Sequence, residues 1–320
     1  MEKAVYRKNE REAQAEELLS IENLSIRFRQ YETGGRSSAF RQSMLSVISD
    51  LNVTVHRGEI VAVVGASGSG KSLLAHAVLG LLPANAFLEG SIRCKGRGVS
   101  GIALVPQSVT WLDPLMKIGK QVLAGRRSGE AKRRMRALFS RYGLSEKVEE
   151  LYPHECSGGM IRRILLIAAL MDAPELLIAD EPTPGMDACL TEQTMKELRD
   201  FADEGGGVLL ITHDIELALR GADRIAVFYA GTTVEVAGAA DFAKEESLRH
   251  PYTRALWRAM PENGFAALEG SQPYGRDQTQ GCVFQDLCPY AEEACRKEIP
   301  LRRVRGGLVR CVRSFPDEEG

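Results

Sequence analysis

Gly65-Ala66-Ser67-Gly68-Ser69-Gly70-Lys71-Ser72 lies between an apolar run, Ile60–Val64, and a helix-like run, Leu73–Leu82. Glycines at this spacing let successive backbone N–H groups turn inward around a phosphate chain, and the helix that follows points its positive end at the same anion. Lys71 is placed to reach the β- and γ-phosphates, and Ser72 offers a hydroxyl to the Mg²⁺ that nucleotide phosphates carry. The segment commits the chain to a strand–loop–helix unit whose expected ligand is a nucleoside triphosphate.

The surrounding pattern agrees with that unit. Ile21–Phe28 and Leu51–Val55 alternate like half-buried strands, and the Gly-, Ser- and Arg-rich stretch between them reads as an elongated turn. From Pro83 to about Leu170 the pattern turns mostly helical after a short strand near Ile102–Val105. Two buried strands follow, Leu176–Ala179 and Val208–Thr212, with a helix near Thr191–Asp203 between them. Such alternation predicts an α/β fold with a parallel sheet covered by helices. Ala230-Gly231-Thr232 between two β-like runs predicts a terminal hairpin. A small module rich in Gly, Pro, Cys and Arg begins near 240–250, and residues 1–20 read as a frayed, charged helix with little to bury.

With 320 residues, 44% hydrophobic and 26% charged, the chain can bury a full core. Its longest uninterrupted apolar run, Ile164–Met171, is far short of the ~18 residues a membrane span needs. The opening residues are of mixed charge without an apolar centre, so a cytoplasmic chain is expected, with any membrane role exercised through partner subunits. A net charge of −2 gives no global footprint for nucleic acid.

Asp180 and Glu181 end the apolar run Leu176–Ala179. Neighbouring side chains on a strand point to opposite sides, so two adjacent acids can take different tasks: Asp180 in the Mg²⁺ shell and Glu181 as general base to the attacking water. His213 closes the next strand, where it could contact the γ-phosphate and Glu181. Ser157-Gly158-Gly159 opens an apolar helix and reads either as a second anion site or as an ordinary cap. A second phosphate-binding element this far from the first suggests that two chains share one nucleotide.

Taken together, these elements resemble the nucleotide-binding subunit of ATP-binding cassette (ABC) transporters. The order matches over about residues 20–240: the phosphate loop, a glutamine loop at Gln107, a signature loop at Ser157-Gly158-Gly159, Asp180–Glu181, Asp187 and His213. The resemblance implies a P-loop ATPase core over 21–245 with a helical subdomain inserted at about 83–170, an N-terminal antiparallel β part and a C-terminal module over 246–320. It implies a head-to-tail pairing with a second ATPase subunit, in which the signature loop of one subunit closes over ATP held by the other. Gln107 would link Mg²⁺ to the helical subdomain, Asp187 would report across the dimer, and an aromatic ring, Phe28 or Tyr31, would stack on adenine.

Val105-Pro106-Gln107, Trp111-Leu112-Asp113-Pro114-Leu115, Tyr152-Pro153-His154-Glu155 and His250-Pro251-Tyr252-Thr253-Arg254-Ala255-Leu256 are similar to the oligopeptide, dipeptide and nickel importers of this family. That branch implies two transmembrane permeases, an extracellular substrate-binding protein, a peripheral place on the cytoplasmic face of the membrane, and two different ATPases as partners. Cys156 departs from the usual Leu before the signature loop, and Thr183-Pro184-Gly185-Met186 is unusual ahead of Asp187.

Cys282, Cys288, Cys295 and Cys311 are spaced widely, and four thiolates can hold either Zn²⁺ or an iron–sulfur cluster. Peptide importers of the resembled family carry a similar tail with a [4Fe–4S] cluster, which the resemblance extends to all four positions. Arg296, Lys297, Arg302, Arg303, Arg305, Arg310 and Arg313 surround them and could offset cluster charge or touch acidic lipid or a partner. The leading expectation is an ATPase subunit powering uptake of a peptide, with a nickel or metal-chelate substrate as the alternative. A soluble cassette ATPase acting on DNA or the ribosome is the reading of another class; it usually needs two cassettes or a long coiled coil, and neither is present.

Overall fold

The protein, a computed structural model, is described over residues 16–33, 40–66, 68–108, 111–266, 270, 272–273 and 281–313. Ser67, residues 1–15 of the N-terminal extension and residues 34–39 of the Gly/Ser-rich stretch lie outside the described residues. The chain divides into two compact units, each assembled from separated segments: Cys94–Ile211 with residues 16–18 and His56–Ile60 in one, and Leu19–Val55, Val61–Arg93 and the residues from Thr212 onward in the other.

In the first unit, strands β5 (Ile102–Val105), β6 (Leu176–Asp180) and β7 (Gly207–Thr212) run parallel and adjacent, with Ile102 opposite Leu176 and Leu176 opposite Gly207. All residues of β6 and β7 are buried, which is why they read as unbroken apolar runs rather than as alternation. Helices α2 (Ile118–Leu123), α3 (Gly129–Arg141) and α4 (Gly158–Leu170) pack on one another around Ile118, Val122, Met135, Phe139, Ile164 and Ile167. Helix α5 (Ala188–Asp203) follows β6.

Glu197, on α5, is buried at 8% exposure and accepts a hydrogen bond from the Gln193 amide at 3.1 Å. Burial pushes its carboxyl up to about 7 from an ordinary 4.5, with Arg163 opposing. The folded chain therefore holds a proton there that the unfolded chain has released, so between pH 4.5 and 7 this residue's contribution to stability falls as pH rises. After allowance for solvent screening, the penalty above pH 7 is on the order of 1–2 kcal/mol. Glu197→Gln should accordingly raise Tm by about 2–6 °C at pH 8 and leave it unchanged near pH 4, a difference read by thermal unfolding at the two pH values.

The second unit carries a three-stranded sheet ordered β2–β1–β4, from β1 (Glu17–Thr33), β2 (Phe40–His56) and β4 (Ala86–Cys94). It also carries strands in the order β10–β11–β9–β8–β3, from β3 (Ile60–Val64), β8 (Arg224–Tyr229), β9 (Thr232–Gly238), β10 (Arg302–Val304) and β11 (Gly307–Val309). Strands β3 and β8 are parallel, and the others in this run pair antiparallel. The hairpin predicted at Ala230–Thr232 is present, its turn residues Ala230 and Gly231 both at positive φ (47° and 83°), the geometry that fits the twist of a tight hairpin.

Three sequence expectations are corrected here. Residues 17–20 open a strand instead of continuing a charged helix, because Leu18, Leu19 and Ile21 are all buried. The supposed long turn between the first two strands is largely strand, since β1 and β2 are each 17 residues long. Residues 86–94 form β4 where helix was expected; this strand is mostly exposed and joins β1 through the ion pairs Arg27–Glu89 and Arg93–Glu22. A strand with charges on its open face and little buried surface shows no apolar period to read.

Candidate active site

The phosphate loop connects β3 to α1 (Lys71–Val78) in the second unit. Its glycines are set by close approach and by backbone angle. A Cβ on Gly65 would sit 2.3 Å from the Phe228 carbonyl oxygen of β8; Gly70 has φ 90° as the residue before α1, and its Cβ would meet Val47 of β2 at 2.8 Å. The loop is thus held between β8 and β2 with its amides leading into the helix. Lys71 is 5% exposed and its ammonium donates to the carbonyl oxygens of Gly65 (2.7 Å) and Ala66 (2.8 Å), with the Ser69 hydroxyl at 3.5 Å. The cation is therefore fixed inside the curve of the loop. Ser72 follows it in the first turn of α1.

Phe28 and Tyr31 both lie on β1, Phe28 half-buried and Tyr31 64% exposed. Three residues apart on a strand, they face opposite sides, so only one of them can be the adenine partner. His213 is exposed just after β7, and Asp214 beside it caps helix α6 (Ile215–Gly221) by accepting from the Leu217 N–H at 3.0 Å.

In the first unit, Asp180 ends β6 and Glu181 follows, both 7% exposed. Glu181 has φ 46°, a left-handed conformation that costs a non-glycine residue on the order of 1 kcal/mol, and its N–H is held by the Ile211 carbonyl at 2.8 Å. Strained residues of this kind gather at functional sites, and no sequence pattern announces the strain.

Gln107 is exposed, and its carbonyl oxygen accepts from Arg162 at 2.6 Å, with Pro106 O at 3.3 Å from the same nitrogen. Arg162 lies in the second turn of α4, the helix that the signature loop opens. Sequence reading missed Arg162, which joins the glutamine loop to the signature helix; a basic residue five positions after Ser157 was the only signal available. Ser157 is the N-cap of α4 and accepts from the Met160 N–H at 3.3 Å. Gly159 packs where a Cβ would touch Leu190 at 3.1 Å, in the first turn of α5, whose N-cap is Asp187. Asp187 itself accepts from the Leu190 N–H at 2.9 Å. The structure thus brings the signature loop and the Asp187 turn together.

In the C-terminal region, Cys282, Cys295 and Cys311 are buried, Cys288 is half-buried, and all are free thiols. Cys282 N–H donates to the Cys295 carbonyl at 2.8 Å. Burial pushes the Cys282 thiol up to about 11, and the neighbouring Cys311, Cys295 and Cys288 push the same way, which places the four within electrostatic reach of one another. Among the described residues, no group of three or more His, Cys, Asp and Glu side chains is gathered closely enough to hold one metal ion. Several of the arginines around the cysteines are tied into the fold: Arg310 is buried and donates to the Ile299 carbonyl at 2.6 Å, Arg302 donates to the Cys311 carbonyl at 3.0 Å, and Arg313 lies over the Tyr290 ring.

A phosphate loop, paired carboxylates after a buried strand, a glutamine loop and a helix-capping Ser-Gly-Gly define the nucleotide-binding class of ABC ATPases. Residues 48–184 match the ABC transporter family, and residues 234–295 match the oligopeptide/dipeptide transporter C-terminal region. The chain is 33% identical to the dipeptide transport ATP-binding protein DppD of Escherichia coli, over 88% of this chain and 92% of that one. It is 31% identical to the oligopeptide transport ATP-binding protein OppD of the same organism, over 93% of each. A solved ATP-binding subunit of an ABC transporter, 25% identical, superposes with a TM-score of 0.57 over 72% of this chain and 94% of its own. The chain belongs to the ABC transporter ATP-binding family, and as such it is an ATPase of the kind that drives transport. No helix among the described residues is long and apolar enough to cross a membrane.

Proposed function

We propose that the chain powers uptake of di- and oligopeptides through two separate permeases fed by an extracellular binding protein, from a peripheral position on the cytoplasmic face of the membrane. The observation that carries this reading is the presence, on one chain, of an ABC match and an oligopeptide/dipeptide C-terminal match, in a sequence that aligns with DppD and OppD almost end to end. ATP would be held by residues 65–72, with Lys71 on the β- and γ-phosphates. The hydroxyl of Ser72, the carboxylate of Asp180 and Gln107 are oxygen donors of the kind Mg²⁺ prefers, and the bound ion would neutralise phosphate charge. Glu181 would take the proton of the attacking water, and His213 would contact the γ-phosphate. Phe28 or Tyr31 would stack on adenine. Ser157, Gly158, Gly159 and Asp187 would act on the nucleotide of a second, different ATPase subunit. A metal-chelate substrate remains the alternative.

We also read Cys282, Cys288, Cys295 and Cys311 as ligands of a [4Fe–4S] cluster. Four cysteine thiols with no other ligand type are a donor set that suits such a cluster, with Zn²⁺ as the alternative. The supporting observations are the mutual electrostatic reach of four free thiols and the buried Tyr229 hydroxyl beside Cys282, which has no hydrogen-bond partner.

The test of transport is affinity purification of the tagged chain from detergent-solubilised membranes, with co-purifying proteins identified by mass spectrometry. Two permeases and a second ATPase are expected. Recovery with ribosomal or DNA-bound proteins, or alone, would overturn the importer reading.

A further inference from the structure

Cys282 differs from the other three cysteines in what its sulfur meets. His250, 1% exposed and preceding helix α7 (Pro251–Arg258), accepts the Tyr252 N–H on Nδ1 at 3.0 Å. A neutral imidazole that accepts on Nδ1 carries its proton on Nε2. Nε2 lies 3.9 Å from Cys282 Sγ. The ring cannot easily turn away, because its other nitrogen caps α7 and Phe284 packs beside it.

We propose that His250 is a positioning residue for the Cys282 sulfur: its Nε2–H donates to that sulfur when it serves as a cluster ligand, and so favours the reduced, more negative state of the cluster. The inference rests on the cluster reading above. Hydrogen bonds to ligand sulfurs are among the terms that set an iron–sulfur potential, because a donor aimed at sulfur gains more as electron density accumulates there. The Tyr229 hydroxyl, buried and unpartnered within reach of the Cys282 charge, is available to act in the same sense.

The experiment uses the full chain purified anaerobically, with iron and sulfide assayed first. His250→Asn retains a good helix-capping side chain but one too short to reach the sulfur. Its cluster should be harder to reduce by about tenfold in the one-electron equilibrium, a fall of about 59 mV in midpoint potential. Independently of any variant, dithionite-reduced wild-type protein labelled with ¹⁵N-histidine should show a weak nitrogen coupling to the cluster spin in pulsed EPR. An unchanged potential in His250→Asn, no histidine coupling in the wild type, or a coupling as strong as direct ligation would overturn the inference while leaving the cluster in place. Wild-type protein without iron and sulfide would overturn the cluster reading and this inference together. Should His250→Asn fail to fold, the wild-type spectrum decides.

Discussion

Glu181→Gln is expected to bind ATP as the wild type does and to lower ATP turnover by at least ~100-fold, the usual worth of a positioned general base. Phosphoryl transfer asks little covalent chemistry of a protein; it asks for a positioned nucleophile and compensated charge. Glu181 is 7% exposed, lies in a left-handed conformation and has its N–H held by Ile211, so its carboxylate is fixed by backbone as well as by packing. Glutamine keeps that shape but cannot take the proton of the attacking water. ATP binding rests on the phosphate loop and Lys71, which the substitution does not alter. Phosphate release under saturating ATP, set against nucleotide titration of the same preparation, separates the two effects. Turnover within a fewfold of wild type would remove Glu181 from the role of base.

Arg249→Leu is expected to destabilise the chain by about 3–5 kcal/mol, the range for removing one partner of a buried ion pair. Arg249 is 2% exposed and Glu235, on β9, is fully buried. The guanidinium pairs with Glu235 at 3.2 Å and Asp241 at 2.9 Å and donates to the Val304 carbonyl at 2.7 Å and to the Arg305 carbonyl. The backbone amides of Arg249 and His250 donate to the same Glu235 carboxylate at 2.9 Å and 2.7 Å. Truncation leaves that carboxylate buried with its backbone donors but without its charged partner, and frees the turn between β10 and β11, which leads to Cys311. Urea unfolding of the single variant and of Glu235→Leu with Arg249→Leu gives the check. The pair should recover much of the loss, because the desolvated charge leaves with its partner. A loss below about 1 kcal/mol in the single variant would show that the pair is not enclosed as described.

The nucleotide site was legible in the sequence because it depends on short-range chemistry. Gly65, Gly70 and Lys71 follow from what a phosphate and a strand-to-helix turn require, and Asp180 and Glu181 stood out as charges at the end of a buried strand. Arg162 was not legible, since its role is to bridge a carbonyl 55 residues away in sequence. The β4 strand was missed because its pairing is carried by exposed charges. Arg310, one of the basic residues around the cysteines, is buried and bonded to backbone carbonyls, and no local pattern distinguishes an arginine of that kind from a solvated one.

By itself, the sequence determined the alternation of strands and helices, the phosphate loop, the acid pair and the four-cysteine tail. Each of these is written in residues that are neighbours along the chain, where periodicity and backbone sterics act directly. Only the tertiary structure decided that Glu181 is strained, that Gly159 meets Leu190 and that Arg249 bridges the buried Glu235 and the half-buried Asp241. It also decided that His250 faces the Cys282 sulfur. These are energies of desolvation and close approach between segments far apart in sequence, and they exist only once folding has brought those segments together.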